Sequence, residues 1–251
     1  MRTVYIHYWY IWKQLVSVLL IHHREVTISQ LMCQRRYELT NLTFGENTMY
    51  TLYYSKGACS VATQVVLREL GQEVTIIDVQ QLSNFKTINP VGAVPVLVDG
   101  DKTLTEGAAI MLHILNKHNS ALFPDTENDR QQAIQDIMFA NASMHPAYSK
   151  LFFLAEHIND EKVKQETLNS AAKTINQLWQ VVEKQLSNNK FLGGSAPSAA
   201  DIMLTVYSRW GAYFPVDIII GEKTIMMLNA VQAMPSFIKT DQAEQAMSST
   251  E

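Results

Sequence analysis

From Met49 onward the apolar positions follow two successive rhythms. Tyr50-Thr51-Leu52-Tyr53-Tyr54 is short, aromatic and β-prone, and Ser55-Lys56-Gly57 breaks it, as expected of a strand running into a loop. Val61, Val65, Leu67 and Leu70 then recur at helical spacing until Gly71 stops them. Val74-Thr75-Ile76-Ile77-Asp78-Val79 predicts a second strand, apolar enough for a sheet interior. A β-α-β opening of this kind predicts a parallel strand pair. Further on, Pro95-Val96-Leu97-Val98 and Thr103-Leu104-Thr105 flank Asp99-Gly100-Asp101, which reads as a hairpin. A helix is predicted over 106–119, with Ile110, Ile114 and Leu115 on its apolar side.

The order βαβ then ββα describes a small sheet with helices packed on it, a thioredoxin-like layout. Ser120-Ala121-Leu122-Phe123-Pro124-Asp125 has the composition of a linker. Beyond about Asn128 strand signals stop, and long helices are predicted over 128–158, 161–186 and 198–212, with shorter ones after them. Pro146 falls inside the first of these and predicts a kink or break there. The expected fold class is therefore α/β plus all-α: a thioredoxin-like βαβ-ββα domain over 49–123, followed by an all-helical domain over 128–251.

Composition narrows the partners. The 251 residues are 47% hydrophobic and 18% charged, which suits a buried core and excludes wholesale disorder. The net charge is −4 with Lys and Arg scattered, so nucleic acid is not an expected partner. Two cysteines, Cys33 and Cys59, cannot form a disulfide framework or supply the four ligands of a structural zinc site. No metal is expected, and the cysteine usage points to a reducing, cytoplasmic setting.

Residues 1–48 differ from the rest, with five basic residues against three acidic ones. Their apolar run, Leu15-Val16-Ser17-Val18-Leu19-Leu20-Ile21, is far below the roughly 20 residues of a spanning helix, so stable membrane insertion is not expected. It also lacks a small-residue cleavage site. An accessory helix, an interfacial anchor and a start assigned too early remain open. The last is preferred, with Met49 as initiator, because a well-patterned domain begins directly after it.

Three segments carry candidate chemistry. Ser55-Lys56-Gly57-Ala58-Cys59-Ser60 sets a thiol where a strand meets a helix, so the helix amides and dipole are expected to favour thiolate and lower its pKa. The alternative is a small buried apolar residue. In Asn89-Pro90-Val91-Gly92-Ala93-Val94-Pro95-Val96, a cis Pro95 would turn the backbone N–H and C=O of Val94 outward for a peptide; an ordinary trans proline is the alternative. In Leu104-Thr105-Glu106-Gly107, the amide of Gly107 can take a carboxylate and Glu106 an ammonium, which suits the zwitterionic end of a γ-glutamyl group, although an acid in a first helical turn is also routine capping. A fourth segment, Ser198-Ala199-Ala200-Asp201, reads as a capping box whose loss costs about 1 kcal/mol of stability.

Together these segments resemble the cytosolic glutathione transferases, most closely the bacterial beta class, whose Tyr-Tyr-Ser-x-Gly-Ala-Cys-Ser start is matched by residues 53–60. The resemblance runs from about Met49 to the C-terminal helices. It implies a cytoplasmic, detoxifying homodimer that binds glutathione on the first domain and conjugates its sulfur to a small hydrophobic electrophile held by the second. It implies Cys59 as the active-site cysteine, Val94-Pro95 as the cis-proline pair and Glu106-Gly107 as the γ-glutamyl site. Met144-His145, with Tyr148 and Leu151-Phe152, resembles the segment that sets a histidine over that cysteine, so His145 is implied to polarise or deprotonate sulfur. Arg209-Trp210 resembles a pair whose arginine orders the site. Phe139, Tyr148, Phe152 and Trp210 are expected to line the apolar pocket.

Three positions depart from the family pattern: Pro146 stands where a lysine is usual, and Ala142 and Met138 replace polar residues. Lys86 is the nearest candidate for a further lysine contact. These departures imply weaker glutathione binding or an altered substrate. Two alternatives remain: a glutathione-dependent thiol–disulfide oxidoreductase acting through Cys59, with Ser60 or Tyr54 left to assist transfer, and a noncatalytic ligand-binding protein that keeps the fold.

Overall fold

The computed structural model describes residues 50–248; the expectations for residues 1–48 and for Met49 lie outside them. Strand β1 (Tyr50–Tyr54) leads through α1 (Ser60–Glu69) to β2 (Val74–Asp78), which pairs parallel with it. A short α2 (Phe85–Ile88) precedes the antiparallel strands β3 (Val96–Asp99) and β4 (Lys102–Leu104), and α3 (Gly107–Lys117) closes this half. The sheet order is β2-β1-β3-β4, the thioredoxin-like arrangement. Central β1 alternates as a half-covered strand should, burying Tyr50, Leu52 and Tyr54, and Leu52 sits in register with the equally buried Leu97. Strand β2, expected in the sheet interior, instead lies at its edge among the described strands and stays partly exposed. An apolar run does not distinguish a central strand from an edge strand covered on one face.

Helices make up the second half: α4 (Glu127–Phe139), α5 (His145–His157), α6 (Glu161–Gln185), α7 (Ala199–Ser208), α8 (Glu222–Gln232) and α9 (Pro235–Ser248). The helix expected over 128–158 is interrupted next to Pro146, as its sequence position predicts. A π-helical turn at Ala140–Met144 separates α4 from α5 within one continuous helical run, and Pro146, which has no N–H to give the preceding turn, follows it at the second residue of α5. The helix expected over 198–212 ends at Ser208 and tightens into a 3-10 turn at Arg209–Tyr213. Within this half, Trp179 donates its indole N–H to the Tyr148 hydroxyl at 2.9 Å, and both side chains are fully buried.

The Ser198–Asp201 capping box is present. Asp201 also accepts backbone N–H bonds from Leu192 at 2.9 Å and Gly193 at 3.4 Å, so it ties down the incoming loop as well as the helix start. Helix α1 joins the two halves. It packs on β1 and α3 on one side and on α7 and α9 on the other, which buries every residue from Ser60 to Leu67, polar Thr63 and Gln64 included.

Candidate active site

Cys59 immediately precedes α1, already in helical conformation, after a tight turn in which Ala58 N–H bonds to the Ser55 carbonyl. Its thiol donates to the Val94 carbonyl at 3.3 Å. The Val94–Pro95 peptide is cis. The Val94 carbonyl thus faces the sulfur and is engaged by it. The lowered thiol pKa expected from the helix start is not found: burial pushes Cys59 up to about 11, outweighing the amides of Cys59 and Ser60 that favour thiolate. The thiol, not the thiolate, is the resting form. The neighbouring hydroxyls turn inward, since Ser60 donates to the Ser55 carbonyl and Tyr54 is buried, which raises its pKa.

His145 opens α5 at the end of the π-turn. Its ring stands edge-on to Tyr207 and Trp210, with centroids 5.2 Å away in both cases, and Nδ1 lies 3.3 Å from the Ser149 hydroxyl. Burial lowers its pKa, so the imidazole is neutral at neutral pH and available as a base.

Glu106 precedes α3 with φ +68°, the one non-glycine residue with positive φ among the described residues. Such a conformation costs about 1–3 kcal/mol and is concentrated at functional sites. Its side chain is exposed and makes no bond to the amides that open α3, which leaves those amides without a side-chain cap from Glu106. Asn141, from the π-turn, approaches Gly107 from the other side.

A cavity of about 240 Å³ brings Cys59, Val94, Glu106, Gly107 and His145 together, with Asn141 between them. A second cavity, about 420 Å³, shares Cys59 and His145 and continues over the loop at Ser55–Ala58 to Phe152, Trp210 and Tyr213. The two spaces meet at one sulfur and one imidazole.

Several expected residues lie elsewhere. Tyr148 is fully buried in the core with its hydroxyl on Trp179, and Phe139 packs against the core without lining either cavity. Helical periodicity identified their faces as apolar but could not separate a core-facing side chain from a cavity-facing one. Lys86 lies against Gly92, while Pro146, Ala142 and Met138 are exposed, and none of the four lines either cavity. Arg209 faces α9, where it pairs with Asp241 at 2.8 Å. Two residues were missed. Asn141 was within reach, because it lies one turn before His145. Glu244, which holds the loop before Cys59 from 187 positions away, gave no local signal.

Comparison with known proteins identifies both halves of the fold. Residues 49–116 match the glutathione S-transferase N-terminal domain and residues 143–224 the glutathione S-transferase C-terminal domain. Glutathione S-transferase GST-4.5 of Xanthomonas campestris is 32% identical over 173 residues, 66% of this chain and 85% of that relative. A bacterial beta class glutathione S-transferase of Sphingomonas chungbukensis superposes with a TM-score of 0.68 at 29% identity, over 77% of this chain and 98% of that one. A sphingomonad glutathione S-transferase complexed with glutathione also gives a TM-score of 0.68, at 28% identity over 78% and 98% of the two chains. With both halves of the fold matched in order around one cysteine-bearing cleft, the chain belongs to the glutathione S-transferase family.

Proposed function

We propose that this chain binds glutathione in the polar cavity and conjugates its sulfur to a small hydrophobic electrophile seated against Phe152, Trp210 and Tyr213. The observation that carries this reading is the shared wall: Cys59 and His145 line both the cavity that holds Glu106 and Gly107 and the aromatic one. A γ-glutamyl group fits the first, its carboxylate on the α3 amides and its ammonium on Glu106. The Val94 backbone pairs with the peptide part of glutathione, and the Cys59 S–H turns from the Val94 carbonyl to donate to the incoming sulfur. Neutral His145 takes the proton of the glutathione thiol as the S–C bond forms, and the electrophile's leaving group departs with the bonding pair. In this reading residues 49–123 hold glutathione, residues 128–251 hold the electrophile, and the protein works as a cytoplasmic homodimer in detoxification.

Mixed-disulfide chemistry at Cys59 is the weaker reading. With burial holding its pKa up at about 11, Cys59 is thiol rather than thiolate at pH 7. Purified protein separates the two readings through glutathione titration calorimetry, conjugation of an aryl halide and reduction of a small mixed disulfide, with Cys59→Ala alongside. Conjugation by the wild type, falling at least tenfold in Cys59→Ala while glutathione still binds, is expected. Absence of glutathione binding would sink both enzymatic readings. Conjugation unchanged in Cys59→Ala, with disulfide reduction lost, would make Cys59 a redox residue.

A further inference from the structure

Gly57 lies two residues before Cys59 in the loop between β1 and α1, and its backbone takes φ +69°. Both of its polar groups are held by the helical half of the molecule. The N–H donates to Glu244 Oε2 at 2.9 Å, and the carbonyl accepts from the Trp210 indole at 2.8 Å. The other carboxylate oxygen of Glu244 accepts from Gln64 Nε2 on α1 at 2.7 Å. One side chain of α9, only 4% exposed, therefore bonds the chain on both sides of Cys59. The two grips are also linked to each other. Arg209, next to Trp210, pairs with Asp241, one turn before Glu244 on the same helix.

From these contacts we infer that Glu244 is a positioning residue for the transfer reaction: with Trp210 it fixes the peptide at Gly57 and thereby the Cys59 sulfur opposite His145. The inference rests on the function proposed above. Hydrogen bonds from amides to a buried carboxylate are about twice as strong as neutral ones, which suits a grip on a loop. Displacing a reacting group by about 1 Å can cost on the order of 100-fold in rate. Burial, and with it the neighbouring Asp241, makes Glu244 easier to protonate than an ordinary glutamate, against the opposing effect of the Gly57 and Gln64 hydrogen bonds and the Arg209 charge.

The test compares Glu244→Ala and Glu244→Gln with the wild type, well below the melting temperature of each. Glu244→Ala is expected to lower kcat for aryl halide conjugation at least tenfold, with the glutathione Kd changed less than twofold. Glu244→Gln, which keeps an oxygen for Gly57 N–H, is expected to recover kcat to within threefold of wild type. A wild-type kcat in Glu244→Ala, or equal losses of kcat and glutathione affinity, overturns the inference. Should Glu244→Ala not fold, Gln64→Met strips one donor from Glu244 and is expected to lower kcat about threefold; no change there overturns the inference equally.

A second measurement needs no glutathione. Alkylation of Cys59 by iodoacetamide at pH 8, followed by mass spectrometry, is expected to be at least threefold faster in Glu244→Ala, because a released loop relieves the burial that keeps the thiol protonated. An unchanged rate overturns the inference. A faster rate in a protein whose wild type binds no glutathione supports the grip on the loop and overturns the transferase reading alone.

Discussion

At the start of α7, buried Asp201 collects N–H bonds from Leu192, Gly193 and Ser198 and the Ser198 hydroxyl, all within nine positions along the chain. Near the end of α9, buried Glu244 collects the Gly57 amide and the Gln64 side chain from 187 and 180 positions away. Each carboxylate pins a loop to a helix. The local one completes a folding unit, and its loop lines neither of the two cavities at Cys59 and His145. The distant one grips the segment that carries Cys59. The same chemical device therefore serves stability in one place and geometry of reaction in the other, and the sequence separation of the partners marks which is which.

The largest test of that contrast is Asp201→Ala. It strands several buried donors at once, so a loss of about 3 kcal/mol is expected, well beyond the 1 kcal/mol of a simple cap, with conjugation per folded molecule unchanged. Urea unfolding beside specific activity checks both halves of the statement. Glu244→Ala should invert the pattern, costing about 1–2 kcal/mol of stability in the same unfolding experiment while kcat falls at least tenfold.

A third test probes the electrostatic surroundings of Asp201. Burial, with the Asp201 charge adding to it, pushes nearby Asp136 up to about 6 from 3.8. The folded state thus holds this proton more tightly than the unfolded chain. Its stabilising effect is complete below pH 3.8 and is lost as pH rises through about 6. Asp136→Asn keeps the oxygen that accepts from Gln132 and removes the charge. Relative to wild type it is expected to gain about 2 kcal/mol at pH 7 and nothing at pH 3.5, read from urea midpoints. The smallest expected effect is Ser198→Ala, about 1 kcal/mol, since Asp201 retains its backbone donors.

How far the site could be read from sequence follows the same division. The loop that ends β1, the thiol at the head of α1, the Glu106–Gly107 start of α3 and the capping box are all short-range patterns, and each is formed by neighbours in the chain. Glu244 and the Trp210 bond to Gly57 exist only after the two halves pack, so no window of sequence contains them. The pKa of Cys59 failed for a related reason. Helix position is a local property that favours thiolate, but burial is set by segments distant in sequence, among them Tyr207 of α7 and the cis-proline loop, and burial is the larger effect. Tyr148 and Phe139 show the matching limit for apolar residues, whose period gives a face but not what the face meets.

The grip of α9 on Gly57 also has a consequence in time. At a synthesis rate of about 5–20 residues per second, the stretch of 187 positions between Gly57 and Glu244 takes roughly 10–40 s to emerge. Throughout that interval the nascent chain carries Cys59 beside a loop whose anchor on α9 has not been made. Formation of α9 is therefore the step that anchors this loop, and a ribosome-bound chain stalled before Glu244 should display an unguarded thiol.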